Sequence, residues 1–480
     1  MKLSDLTNEL QDKRLTGDAE IFSLCTDSRI ATEGDLFFCF CGGNIDSHDC
    51  AEEAVRRGAS AVVCERELNL DCPQVIVKDG REAMARLAAA FYHHPERSMK
   101  IVGITGTNGK TTVSHMLVSI LNETGMSAGL IGTLGAKFGK KTVAPDLTTP
   151  DPVSLFSLLS DMKREGVEVA VLEISAHALA LKKECPIVYE VGIFTNLTQD
   201  HLDFFKTMKE YGDAKRRMFD ASRCKFAVLN SDDAFYKILK EQGVPAMSYG
   251  LENPADAFAV ILNETVRGSK VLINLNDELI EASLNMTGRH NVQNALAAAV
   301  AAKRLGADAD AIAHGLNKVK GVDGRLEWIA NYRGADIFTD FAHTPDGLQK
   351  SLLALRKHCK GKLYCLFGCG GNRDKTKRPI MGATVARGCN YAVITSDNPR
   401  FEDPCAIIAD IEAGYRPVSP HYVAIEERER ATEYALELLG SGDILLIAGK
   451  GGETYQEIMG IKYSYNDKDV VTKILGKKQE

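Results

Sequence analysis

The stretch Gly103-Ile104-Thr105-Gly106-Thr107-Asn108-Gly109-Lys110-Thr111-Thr112 decides how this chain is read. It follows the apolar run IVGI at 101–104 and leads into residues 111–125, where Val113, Met116, Leu117, Ile120 and Leu121 share one helical face. A strand, a glycine loop and a helix in that order predict a phosphate site. Glycines let backbone N–H groups turn toward phosphate, and the helix amino terminus adds partial positive charge. Lys110 can reach the outer phosphates, and a threonine hydroxyl can ligate magnesium. Gly103 and Gly109 enclose five residues where the standard loop has four. The alternative, a purely structural glycine turn, does not explain why strand and helix flank it. ATP or GTP is the predicted ligand, and no NKxD run supports guanine recognition.

Working outward, VAVLEI (169–174), VGIFT (191–195) and FAVLN (226–230) are apolar on both faces, as in a parallel sheet. A second set, ADIFTDFA (335–342), KLYCLFG (362–368), YAVITS (391–396) and DILLIAG (443–449), alternates with helical patterns and predicts a doubly wound fold. Toward the amino terminus, LFFCF (36–40) and SAVVCE (60–65) flank a helix-like AEEAVRRGA, and a helical pattern ends at Tyr92 before a polar connector around Pro95. The expected architecture is α/β in three domains. Residues 1–97 form a small α/β unit, 98–320 a central P-loop parallel-sheet domain, and 321–480 a Rossmann-like domain.

Composition narrows the function classes. With 480 residues, 45% hydrophobic and 26% charged, the chain has enough apolar residues for several cores and no disorder signature. A net charge of −7 gives no global field for a polyanion, so nucleic acid is not expected as a partner. MKLSDLTNELQDKR has no signal-peptide character, and the longest apolar run, 295–302, is too short to span a bilayer. A cytoplasmic protein without a membrane partner is expected. The thirteen cysteines include no C-x-x-C pair and are read as reduced thiols without a zinc pattern.

The remaining motifs carry the chemistry: TGTNGKTT (105–112), LTTPDP (147–152), LEISAHAL (172–179), TNLTQDHLD (195–203), AKRRMF (214–219), GRHNVQNALAA (288–298) and FAHTPDGL (341–348). FGCGGNRDKTKRP (367–379), SDNPRFEDP (396–404) and AGKGGETYQ (448–456) follow in order. Together they resemble the Mur ligase family, over nearly the whole chain from about Asp27 to Asp469. Within it they resemble the members that add the third amino acid of the peptidoglycan stem. The resemblance implies ATP-dependent addition of meso-2,6-diaminopimelate to the D-Glu carboxylate of UDP-N-acetylmuramoyl-L-alanyl-D-glutamate through an acyl phosphate. Such a step serves cell-wall biogenesis, and through it cell shape and division.

The resemblance also implies residue roles. Gly106, Thr107, Asn108, Gly109, Lys110, Thr111 and Thr112 would hold the phosphates, Asn291 the adenine, Arg325 the phosphates and Asp340 the ribose. Lys110, Glu173, His201 and Lys215 would form the catalytic set, with Thr111, Glu173, His201 and Lys215 around magnesium and Lys215 carried as its CO2-derived carbamate (N6-carboxylysine). Read alone, Glu173 is a strand-end acid, His201 a solitary histidine and Lys215 one charge on a helix face. The UDP-sugar peptide would meet Ser28, Gly43, Asn44, His48, Thr148, Thr149, Ser175 and Lys183. Diaminopimelate would meet Arg373, Asp397, Asn398, Arg400, Gly449 and Glu453, with the planar Arg400 fork suited to a distal carboxylate that lysine lacks.

Ala176, Lys183, Gly452 and Ser47 depart from the usual family residues, as does VDGRLE at 322–327. The alternatives are a paralogous ligase using L-lysine or another amino acid, and a P-loop ATPase without ligase activity. A monomer is expected.

Overall fold

Alternation of apolar runs with helical patterns yields three α/β domains, each built on its own sheet. The computed structural model describes residues 1–42, 45–145 and 147–477. In the first domain the strands lie in the order Lys13–Leu15, Gln74–Val77, Ala61–Cys64, Asp35–Phe38, Ser23–Cys25, parallel except for the first pair. Asp35–Phe38 and Ala61–Cys64 are buried throughout, as their unbroken apolar runs require. Asp79 caps the helix Gly80–Phe91 by accepting from the Glu82 N–H, and Pro95–Arg97 turns as a short 3-10 helix where the sequence suggested a plain connector.

The central sheet has eleven strands. Its parallel core runs from Ala257–Thr265 to Ala128–Gly132, and Lys100–Thr105 lies in the middle between Val191–Phe194 and Val169–Glu173. Antiparallel hairpins absent from the sequence reading extend both edges: Gly268–Leu275 with Glu278–Leu284, and Gly135–Phe138 with Lys141–Val143. Val113, Met116, Leu117, Ile120 and Leu121 of the helix Lys110–Glu123 are all fully buried, which fixes that helix on the sheet. Ala309–Lys318 packs across it with Gly315 at the crossing, where a Cβ would stand 2.4 Å from Ile120 Cα.

In the third domain the order is Glu327–Tyr332, Ala335–Asp340, Ile444–Ala448, Leu363–Phe367, Tyr391–Ile394, Tyr422–Ala424, parallel after the first pair. A separate hairpin, Tyr455–Ile458 with Ile461–Ser464, stands beside it. Glu173, Asp340, Asp397 and Gly449 all lie at or just beyond the carboxyl ends of parallel strands, where α/β sheets bind ligands. Among the described residues no helix is long and apolar enough to cross a membrane, and all thirteen cysteines are free thiols.

A buried ion pair holds the strand-end loops of this domain. Arg428 donates to Asp467 Oδ1 and Oδ2 at 2.8 and 2.9 Å and to the Ala448 carbonyl at 2.9 Å, with both side chains fully buried. Removing one partner strands a charge in the interior, at a cost of about 3–5 kcal/mol. Asp467→Ala should therefore lower the urea midpoint of unfolding markedly, whereas removal of the exposed Lys473–Glu429 pair should change the unfolding free energy by no more than about 1 kcal/mol.

Candidate active site

The glycine loop owes its path to two positions. Gly106 has φ +149°, and a Cβ there would stand 1.9 Å from Thr195 Oγ1. Gly109 has φ +91° and would place a Cβ 2.5 Å from Asn294 Oδ1. Only glycine fits either position. Lys110 Nζ folds back to donate to the Gly106 and Thr107 carbonyls at 2.8 and 2.9 Å, so its ammonium sits at the mouth of the loop. Burial pushes its pKa down, with Arg325 adding to the effect and Glu173 opposing it.

Glu173 is no solvated strand-end acid: it is 1% exposed. Thr111 Oγ1 and Thr133 Oγ1 each donate to its Oε2 at 2.9 Å, and the Thr133 N–H donates to Oε1 at 3.2 Å. Arg325 Nη2, from the third domain, donates to Thr111 Oγ1 at 3.0 Å. A relay therefore runs from the guanidinium through the threonine hydroxyl to the carboxylate.

Lys215 is also buried, at 1% exposure, with Nζ 4.5 Å over the Tyr211 ring. Among the described residues no carboxylate lies at ion-pair distance from it. Burial, and then the charge of Lys110, hold its pKa well below the lysine range, against a smaller pull from Asp200. The amine is thereby biased toward its neutral form. His201 sits in a left-handed turn (φ +57°), edge-on to His177 with ring centroids 4.7 Å apart. Burial pushes its pKa to about 3, although Asp200 pulls the other way.

Asp200 is the residue the sequence reading passed over. It is buried, accepts from Lys377 Nζ at 3.1 Å and lies 3.4 Å from both His201 Nε2 and His343 Nε2. Lys377 and His343 both come from the third domain, so this one carboxylate ties two domains together at the site. Burial raises its pKa, but His343 and Lys377 outweigh that and hold it well below the usual carboxylate range.

Beside the loop, Asn108, Asn291, Arg325, Asp340, Lys350 and Ser351 line a shared cleft. Asn291 Nδ2 donates to the Thr287 carbonyl at 2.8 Å. Asp340 accepts from the Leu326 and Ala342 N–H groups at 2.5 and 2.7 Å and so also organises its own loops. Thr112 is buried on the same loop helix. Thr148, Thr149, Ser175 and Lys183 gather at the end of the Glu173 strand: Thr149 Oγ1 donates to the Glu173 carbonyl at 2.8 Å and accepts from the Ser175 N–H at 2.9 Å. Thr148 Oγ1 lies 3.2 Å from Thr133 Oγ1, and Lys183 Nζ donates to the Thr149 carbonyl at 3.4 Å.

On the third domain, Lys450 is fully buried and donates to Asn398 Oδ1 at 2.8 Å, with Asp397 at 3.4 Å and Glu453 at 3.5 Å. Gly449 has φ +109° and would put a Cβ 2.6 Å from Asp397 Oδ2. Burial and the neighbouring Asp397 push the Glu453 pKa up. Arg400 donates from Nε to Glu457 Oε2 at 3.1 Å and from Nη1 to the Gly371 carbonyl at 2.9 Å, while Arg373 is exposed nearby.

In the first domain Ser28 Oγ donates to Glu53 Oε2 at 3.2 Å. His48 Nδ1 lies 2.6 Å from Asp46 Oδ1, and its Nε2 accepts from the Glu65 N–H at 2.9 Å, which fixes the proton on Nδ1. Gly43 and Asn44 lie outside the described residues. Cys41, Asp46 and His48 bring three donor atoms within 4.8 Å of one another. Arg66 on Asp46, at 3.1 Å, and the Glu65 N–H on His48 already use that group.

The chain is similar to known proteins along nearly its whole length. The profile for the Mur ligase middle domain matches residues 104–302, the Mur ligase glutamate ligase domain 324–451, and the Mur ligase family catalytic domain 20–92. A Clostridium acetobutylicum protein named UDP-N-acetylmuramoyl-L-alanyl-D-glutamate–2,6-diaminopimelate ligase 1 is 40% identical, covering 99% of both chains. A Geobacillus thermodenitrificans protein of the corresponding name is 41% identical over 95% of this chain and 94% of its own. A solved structure with that ligase title superposes with a TM-score of 0.67 at 30% identity, covering 96% of each chain.

Gly106→Ala should leave the far-ultraviolet circular dichroism unchanged while weakening binding of a fluorescent ATP analogue at least about tenfold, because the added Cβ displaces the loop that presents its N–H groups.

Proposed function

The chain belongs to the Mur ligase family, and on that premise we propose that it joins meso-2,6-diaminopimelate to the D-Glu carboxylate of UDP-N-acetylmuramoyl-L-alanyl-D-glutamate at the expense of ATP. The observation that carries this reading is convergence on one cleft. The glycine loop, the Glu173 carboxylate and the Asp200 hub meet third-domain residues Arg325, His343 and Lys377. The loop holding Asp397, Asn398 and Arg400 belongs to that same third domain. A binder of nucleotide alone has no need of an amino-acid loop so placed, and L-lysine has no distal carboxylate to offer Arg400.

Residues 1–97 would hold the UDP moiety through Ser28, the 42–44 turn and the His48 region. Residues 98–320 would bind ATP and the dipeptide, and residues 321–480 the amino acid. Lys110 and Arg325 place two cations where a γ-phosphoryl group meets the substrate carboxylate, countering the repulsion of two anions. Thr148, Thr149, Ser175 and Lys183 orient that carboxylate. Phosphoryl transfer gives an acyl phosphate, and the amine of the incoming amino acid displaces phosphate to form the amide. Closure of the third domain keeps water from the acyl phosphate.

The donor set also fits magnesium. Thr111 and Glu173 present hard oxygen ligands in a buried setting, and His201 is held neutral, as a ligand nitrogen must be. A neutral, buried Lys215 amine is the form that captures CO2, and its carbamate would add a carboxylate-like ligand. When bound, the ion neutralises phosphate charge. The protein would act as a monomer in the cytoplasm, with no nucleic-acid or membrane partner.

The test is amino-acid-dependent phosphate release with the UDP-linked dipeptide, with the product mass confirmed. Release with meso-diaminopimelate and not with L-lysine is expected. Lys110→Ala should abolish it, while Arg400→Ala should chiefly raise the KM for the amino acid. Release with lysine alone would overturn the specificity, and release with neither would overturn the acceptor assignment.

A further inference from the structure

Glu457 lies one residue beyond the AGKGGETYQ motif and nothing in that motif assigns it a role. The hairpin strand Tyr455–Ile458 runs alongside the 397–400 loop as if it were an extra strand. The Arg400 N–H donates to the Glu457 carbonyl at 3.0 Å, the Met459 N–H to the Arg400 carbonyl at 2.7 Å, and the Glu457 N–H to Asn398 Oδ1 at 2.9 Å. Arg400 itself is held at φ +53°, in the left-handed region, by these bonds. The backbone carrying Glu457 is therefore fixed relative to the backbone carrying Arg400.

Their side chains meet at 3.1 Å, both partly buried. Arg400 Nε is taken by Glu457 Oε2, and one Nη1 N–H by the Gly371 carbonyl. The Nη2 group has no hydrogen-bond partner among the described residues, and neither does Glu457 Oε1. An open pair of N–H donors thus stands next to an open carboxylate oxygen. Neighbouring charges are already matched, with Lys450 between Asp397 and Glu453. Adjacent positive and negative groups of this kind complement an amino-acid head, which carries a carboxylate and an ammonium on one carbon.

We propose that Glu457 is a specificity-determining residue of the amino-acid site, fixing the open edge of Arg400 for a distal carboxylate and pairing through Oε1 with the distal ammonium of the same head group. This rests on the reading that the site takes a diaminopimelate-like substrate. It extends the recognition loop beyond residues 397–400 and 449–453 to the hairpin. A substrate with only the distal carboxylate satisfies Arg400 but leaves Glu457 Oε1 unpaired, and one with only the distal ammonium leaves the guanidinium edge unpaired.

The test compares the full-length enzyme with Glu457→Gln and Glu457→Asp, using meso-diaminopimelate and 2-aminopimelate, which lacks the distal ammonium. Glu457→Gln should raise the KM for diaminopimelate by about tenfold or more, the scale of a lost charge-assisted hydrogen bond. The kcat and the KM for ATP should stay within about twofold, and the preference for diaminopimelate over 2-aminopimelate in kcat/KM should fall by a similar factor to the KM rise. Glu457→Asp, which keeps the charge, should recover part of that preference. Equal losses with both amino acids would reduce Glu457 to a prop for Arg400 and overturn the proposal, as would unchanged kinetics. A wild-type enzyme that ligates neither compound but accepts another amino acid would instead remove the functional reading on which the proposal stands.

Discussion

A carboxylate taken out of water has to be met by donors, and those around Glu173 come from three separate places in the chain. Thr111 opens the loop helix, Thr133 follows the strand Ala128–Gly132, and Arg325 reaches in from the third domain through Thr111. Gly132 makes room, since a Cβ there would stand 2.1 Å from Glu173 Oε1. An unmet buried charge costs several kcal/mol, so each of these segments is constrained in position by the same group. The path of the glycine loop, the ends of two parallel strands and the docking of the third domain thus follow from a single buried anion at the centre of the sheet.

The cations around it are tuned by the same burial. Lys110 and Lys215 both lose water, and the one that keeps partners behaves differently from the one that does not. Lys110 spends its N–H donors on two loop carbonyls and faces Glu173, so its charge has company. Lys215 is buried against an aromatic face and repelled by Lys110, with only a smaller opposing pull from Asp200, and this balance favours a neutral amine. Two lysines in one site are thus biased differently by their surroundings, as the two roles proposed for them require.

Much of this was legible in the sequence, for physical reasons. Runs such as VAVLEI and DILLIAG are apolar on both faces because helices cover both sides of a parallel sheet, and each became a strand within a residue or two of its expected ends. The hairpins over 257–284 were missed because burial alternates along their strands while residue type does not: Phe258, Val260, Leu262 and Leu279 are apolar yet exposed, which blurs the apolar-in, polar-out pattern of a half-buried strand. Asp200 was missed for a different reason: its meaning lies in Lys377 and His343, well over a hundred residues away. The burial of Glu173 and Lys215 is likewise a property of the packed domains, invisible in a strand-end acid or in one charge of the run 215–217. The first domain carried the faintest signal, and there His48 is spent on Asp46 and the Glu65 backbone.

Across the site the third domain meets the central one through polar contacts: Arg325 to Thr111, Lys377 and His343 to Asp200, and Asn108 Nδ2 to Asp346 at 3.0 Å. Each involves a charged group and is worth about 1.5–3 kcal/mol net, far less than its strength in isolation, because water can replace it when the domains part. An apolar seam of the same extent would have no such substitute and would hold the cleft shut. A ligase needs the opposite of a permanent seal, since three substrates must enter and the product must leave, yet water must be kept out while an acyl phosphate exists. Polar contacts on groups that the proposed function sets facing the substrates would reconcile these demands. On the proposed function, the residues that bridge the cleft are those that nucleotide and amino acid would engage, so occupancy would strengthen closure and an empty site would weaken it.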